Sequence, residues 1–112
     1  MKLPRNNEAI VPESKIIHYL LSEAHPVRRA KARFFKELGY SVENGVQLKE
    51  DPLGVAAGGM VVEIIETAFG VKFVVDGSLL TPGGISARVR TIWILEAEHG
   101  VPRFVTAYPH GV

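Results

Sequence analysis

The chain changes its hydrophobic period near its middle. Before Gly58-Gly59 the apolar residues recur at helical spacing, and after it they alternate with a period of two. Pro12-Glu13-Ser14 suits a helix start, with proline in the first turn and an acid near the positive end of the dipole. The run KIIHYLLS continues it, with Ile16, Ile17, Leu20 and Leu21 on a broad apolar face opposite Ser14, His18 and Ser22. His25-Pro26 breaks the chain and opens a second helix, VRRAKARFFKEL. Its Val27, Ala30, Phe34 and Leu38 share a face, and Gly39 stops it. Residues 41–57 carry a weaker third pattern. Ser41 is a cap and Val46, Leu48, Leu53 and Val55 are the apolar positions, while Gly45, Pro52 and Gly54 oppose a long regular helix.

From Met60 the signal is strand. MVVEIIET (60–67) pairs as a hairpin with VKFVV (71–75), with Phe69-Gly70 near the turn, and Asp76-Gly77 ends the second strand. TPGG (81–84) marks another turn. SARVRTIWILEA (86–97) is the longest strand, Glu98-His99-Gly100 closes a hairpin, and PRFVTAYP (102–109) is the last strand. Residues 1–11 read as an extended lead-in that tucks Ile10 and Val11 against the core. The expectation is a single α+β domain over 1–112, with a helical part 12–57 and a sheet part 60–109. Two or three N-terminal helices pack on one face of a four-stranded antiparallel meander, and the other face is wet or covered by a partner.

Composition narrows the class. A chain of 112 residues that is 46% hydrophobic buries a core without cross-links, and with no cysteine it has neither disulfides nor a thiolate metal site. The N-terminus has no signal peptide and no apolar run is long enough to span a bilayer, so a cytoplasmic protein away from membranes is expected. The net charge is only +1, yet Arg28, Arg29, Lys31, Arg33 and Lys36 stand against Glu37 alone within ten residues.

That basic run is the first candidate for chemistry. Arg29, Arg33 and Lys36 form a stripe flanked by Arg28 and Lys31, and the helix start beside His25 adds backbone N–H donors, so an anion fits there. A solvated helix face is the plainer alternative. Among the histidines His25 is fixed by the following proline. His18 lies on a polar helix face, His99 in a hairpin loop and His110 in the tail. In the long strand Arg88, Arg90, Ile92 and Ile94 share one face, and Ala87, Val89, Thr91, Trp93 and Leu95 the other. Two arginines in line with two isoleucines break a pure core pattern. Simple alternation in the last strand puts Phe104, Thr106 and Tyr108 on one face and Arg103, Val105 and Ala107 on the other. Whether Arg90 and Thr106 point the same way depends on the register. There is no phosphate-binding glycine loop, no paired-histidine or acidic metal motif and no marked serine nucleophile, so no metal or other cofactor is expected.

His25-Pro26 through KARFFKELGY, then KFVVDGSLLTPGG, RVRTIWI and PRFVTAYP, resemble an uncharacterised bacterial domain family that covers most of the chain. Its members resemble components of toxin–antitoxin and polymorphic-toxin loci. The layout is similar to the barnase–EndoU–colicin–RelE group of ribonucleases, an analogy of fold and setting. The family pattern has a glycine where this chain has Arg28.

The resemblance implies a toxin-like, metal-independent ribonuclease. Such an enzyme needs a base for a 2′-hydroxyl, cations for the phosphorane and a proton donor for the leaving oxygen. His25 is assigned as base or acid, Lys31 and Arg90 to phosphate, Thr106 and Tyr108 to positioning, and Arg28, Arg29 and Arg33 to phosphate binding, with Thr91 added if the register allows. RNA and a small antitoxin or immunity protein are the implied partners. The alternative is a non-catalytic interaction module that docks a partner, or a second copy as a homodimer, through an open sheet face bearing Trp93, Phe104 and Tyr108. A third reading is a nucleic-acid binder without catalysis, carried by the basic helix alone.

Overall fold

The computed structural model describes residues 1–12, 36, 45–80, 86–96 and 100–109. These hold a short 3-10 turn, Asn6–Glu8, one α-helix, α1 (Gly45–Gly58), and four strands: β1 (Met60–Thr67), β2 (Gly70–Leu80), β3 (Ser86–Leu95) and β4 (Arg103–Pro109). The strands form one sheet in the order β1-β2-β3-β4, antiparallel throughout, so the expected meander and its α+β character are present.

The third of the expected helices is present as α1, directly before β1. The two expected ahead of it are not tested by the described residues. The stretches KIIHYLLS and VRRAKARFFKEL lie outside the described residues, apart from Lys36, which is helical and exposed. The helix that is described arises where the sequence signal was weakest. It runs through Pro52, which is fully buried. Intrinsic propensity yields here to packing, because Leu53, Val55 and Ala56 lie against the sheet core.

Asp76-Gly77 does not end β2. The strand continues to Leu80 and matches the full length of β3, from Val71↔Leu95 to Leu80↔Ser86. Gly77 is there for a close approach: a Cβ on it would sit 2.9 Å from Cγ1 of Val55 on α1. At the tip of the β1–β2 hairpin, Gly70 has φ 140, and a Cβ there would meet the Leu95 carbonyl at 2.5 Å. The Thr67 hydroxyl accepts from the Phe69 N–H at 3.1 Å and donates to the Gly70 carbonyl at 2.8 Å, closing the two-residue turn.

One sheet face makes the core. Phe73, Val75 and Leu79 from β2, Val89 and Trp93 from β3, and Phe104 and Ala107 from β4 are buried there with Val55 and Ala56. The N-terminal segment adds Leu3 and Val11, each 1% exposed. Its backbone is pinned at both ends. The Met1 carbonyl accepts from Val61 N–H at 2.8 Å. At the far side Ile10 N–H donates to the Pro102 carbonyl at 2.9 Å, and Phe104 N–H donates to the Ile10 carbonyl at 2.8 Å.

Trp93 is the centre of this layer. Its ring meets Phe104 edge-on at 5.4 Å, and its indole N–H donates to the Thr91 hydroxyl at 2.8 Å. The hydroxyl in turn donates to the Val75 carbonyl at 2.9 Å, so both buried polar groups are satisfied. Thr91 is therefore a core residue and not part of a site. Trp93 and Phe104 are likewise withdrawn from any docking face, at 0% and 2% exposure.

Candidate functional site

The geometry of the second sheet face turns on one residue. Trp93 pairs with Phe104, but Ile92 pairs with Thr106, so Val105 is an extra residue in β4. This β-bulge reverses the alternation beyond it. Phe104 and Ala107 point into the core, opposite Trp93 and Thr91, while Thr106 and Tyr108 lie opposite Ile92 and Arg90. Phe104 therefore does not share a face with Thr106 and Tyr108, contrary to simple alternation. In β3 the alternation holds, with Val89, Thr91 and Trp93 buried and Arg90, Ile92 and Ile94 half-buried.

The register thus brings Arg90, Thr106 and Tyr108 together on the face away from the core. It adds a residue that sequence reasoning missed. Asp76 lies directly opposite Arg90 on β2 and holds its guanidinium in a two-pronged pair, Nε to Oδ1 at 2.8 Å and Nη2 to Oδ2 at 2.9 Å. Reading Asp76-Gly77 as a turn had hidden it. The signal that finds it is the unbroken alternation of Phe73, Val75, Gly77 and Leu79 with Lys72, Val74, Asp76 and Ser78. A ten-residue strand also needs a partner of similar length.

The hydrogen bonds to Asp76 are the main cause holding Arg90 further into its charged form, against partial desolvation, and the Asp76 charge and Tyr108 add to it. The pair has low side-chain exposure, 26% for Arg90 and 23% for Asp76. Val74 and Thr106 are buried and Tyr108 half-buried, so the middle of this face is covered. Toward β1 the surface opens into a cleft of about 310 Å³ lined by Met60, Val62, Asp76, Gly77, Ser78 and Arg88.

The described part of the site supplies a fixed guanidinium, a phenol and a hydroxyl. It contains no imidazole, because all four histidines fall outside the described residues, as do Arg28, Arg29, Lys31 and Arg33. Among the described residues no three histidine or carboxylate side chains gather as a metal site, and no helix is long and apolar enough to cross a membrane.

Residues 2–111 match the family model of a domain of unknown function, DUF6883. The chain belongs to this family. The DUF6883 fold is similar to that of one chain of a contact-dependent growth inhibition toxin–immunity protein complex from Klebsiella pneumoniae 342. The TM-score is 0.72 at 16% identity, over 96% of this chain and 98% of that one. At that identity the likeness is one of fold. Among curated proteins, none matches this chain.

Proposed function

We propose that this DUF6883 chain is a toxin-like domain that cleaves RNA phosphodiesters without a metal ion, using the sheet face that bears Arg90, Thr106 and Tyr108. The observation that carries the reading is the Val105 bulge, which turns Thr106 and Tyr108 to the side of Arg90. Bulges beside active sites commonly re-aim a side chain in this way. A chain of similar fold occurs in a toxin–immunity complex, which supports both the toxin-like character and a small immunity or antitoxin partner.

In this reading His25 takes the proton of a ribose 2′-hydroxyl. The 2′-oxygen attacks the adjacent phosphorus, the P–O5′ bond breaks, and the leaving oxygen takes a proton from water, whose hydroxide recovers the proton held by His25, giving a 2′,3′-cyclic phosphate and a free 5′-hydroxyl. Arg90 and Lys31 meet the charge of the phosphorane, and Asp76 keeps Arg90 oriented. Tyr108 and Thr106 position the phosphate, and Arg28, Arg29 and Arg33 hold the flanking backbone.

The test is cleavage of end-labelled transfer, messenger and ribosomal RNA in excess chelator, with His25→Ala, Arg90→Ala and Tyr108→Phe compared at equal thermal stability. His25→Ala and Arg90→Ala should each lower cleavage by roughly 100-fold or more, the lower end of the range for general acid–base and electrostatic contributions. Tyr108→Phe should have a smaller effect. Cleavage that survives both alanine variants, or no cleavage of any of these RNAs by the unaltered chain, overturns the proposal.

A further inference from the structure

The strand β1 stands apart from the rest of the sheet. Among the described residues it has a strand on one side only, β2. Its start is covered where Met1 takes the Val61 N–H, and the register shifts across Val62. Beyond that bulge no described residue pairs with its outer edge. Every second N–H and C=O of an antiparallel edge strand points outward.

The side chains along this edge are apolar and uncovered. Val62 and Ile64 are each 50% exposed, Ile65 39%, and Phe69 at the hairpin tip 82%. Both faces contribute, since Ile64 lies opposite Phe73 and Ile65 opposite Lys72. Folded proteins usually blunt such edges with charged side chains, proline, bulges or short length. This strand is eight residues long, has neither lysine nor proline, and carries its bulge near its start, at Val62. Its only charges are Glu63 and Glu66, both exposed and without an ion-pair partner among the described residues.

We infer that the outer edge of β1 from Val62 to Thr67 docks an extended segment of a protein partner as a fifth strand, and that this segment carries lysine or arginine. The charge pattern selects the occupant. A second copy of β1 would gather four carboxylates along one seam with no cation on either strand. A basic strand gives Glu63 and Glu66 cross-strand cations while its apolar residues cover Ile64 and Ile65. The inference rests on β1 alone and stands whether or not the chain cleaves RNA.

The test uses the full chain and a capped peptide of lysine and valine in the repeating order Lys-Val-Val-Lys, which sets lysines against Glu63 and Glu66 and valines against Ile64 and Ile65, followed by backbone amide shifts and calorimetry. Two control peptides accompany it, one N-methylated at alternate residues and one with glutamate in place of lysine. Saturable shifts confined to residues 62–69 and the facing part of β2 are expected. N-methylation, the glutamate peptide and the double variant Glu63→Lys/Glu66→Lys should each weaken binding by roughly tenfold or more, consistent with a few cross-strand pairs and ladder bonds. The inference is overturned by shifts elsewhere, by equal binding of the glutamate peptide, or by no binding at all. A self-associated chain in sedimentation equilibrium that Ile64→Lys makes monomeric overturns it in favour of a second copy.

Discussion

β1 and β3 are both rich in branched apolar residues, and the fold treats them in opposite ways. In β3 Val89, Thr91 and Trp93 are buried in strict alternation with half-exposed neighbours. In β1 only Val61 is even partly covered, and every other residue is exposed. Local sequence does not explain this, because MVVEIIET is at least as apolar as SARVRTIWIL. Position does. β3 has a strand on each side, with α1 and the N-terminal segment in the core layer against its inner face. Among the described residues β1 has one neighbouring strand, and only Val61 of its side chains packs against the core. Apolar surface that the fold leaves uncovered is the kind that marks an interaction site.

The contrast is tested first at the centre of β3. Trp93→Ala empties the largest buried side chain and should cost about 3–5 kcal/mol, read as a lower midpoint in urea unfolding. Thr91→Val keeps the shape but leaves the Trp93 indole N–H without its acceptor, and a loss of about 1–3 kcal/mol is expected. Gly77→Ala drives a methyl to 2.9 Å from Val55 and should cost about 1–2 kcal/mol. If that contact is the cause, Gly77→Ala combined with Val55→Ala should lose less than the sum of the two single changes. Strict additivity would show that Gly77 is needed for another reason.

Much of the sheet was legible in the sequence, and the rest was hidden for physical reasons. The alternation of 86–95 and the turn signal near Phe69-Gly70 mark β3 and the first hairpin, and two arginines in mid-strand broke the core pattern. Three things were not legible. Asp76-Gly77 is the strongest short hairpin signal, yet here the glycine serves helix packing and the aspartate serves Arg90. The bulge falls on Val105, a residue that favours regular strands, so nothing local announces that Thr106 turns away from Phe104. The exposure of β1 is a property of strand order, which a period of two does not encode.

The smallest expected effect is the sharpest test of the comparison. Ile64→Thr keeps β-branching and strand propensity and removes apolar surface from a position that is already 50% exposed. A residue that contributes little to the core should change stability by no more than about 0.5 kcal/mol. Val75→Thr makes a comparable apolar-to-hydroxyl change at a position with 0% exposure, and there the buried hydroxyl should cost about 1–3 kcal/mol. The two variants are compared by urea midpoints at equal unfolding slope, so that a change in the denatured state is not mistaken for one in the native state. A loss at Ile64 that approaches the loss at Val75 would mean that β1 is covered in solution and that its apolar face serves this fold after all. A near-silent Ile64→Thr that still weakens binding of the lysine–valine peptide would separate the two roles: β3 holds the domain together, and β1 holds something else.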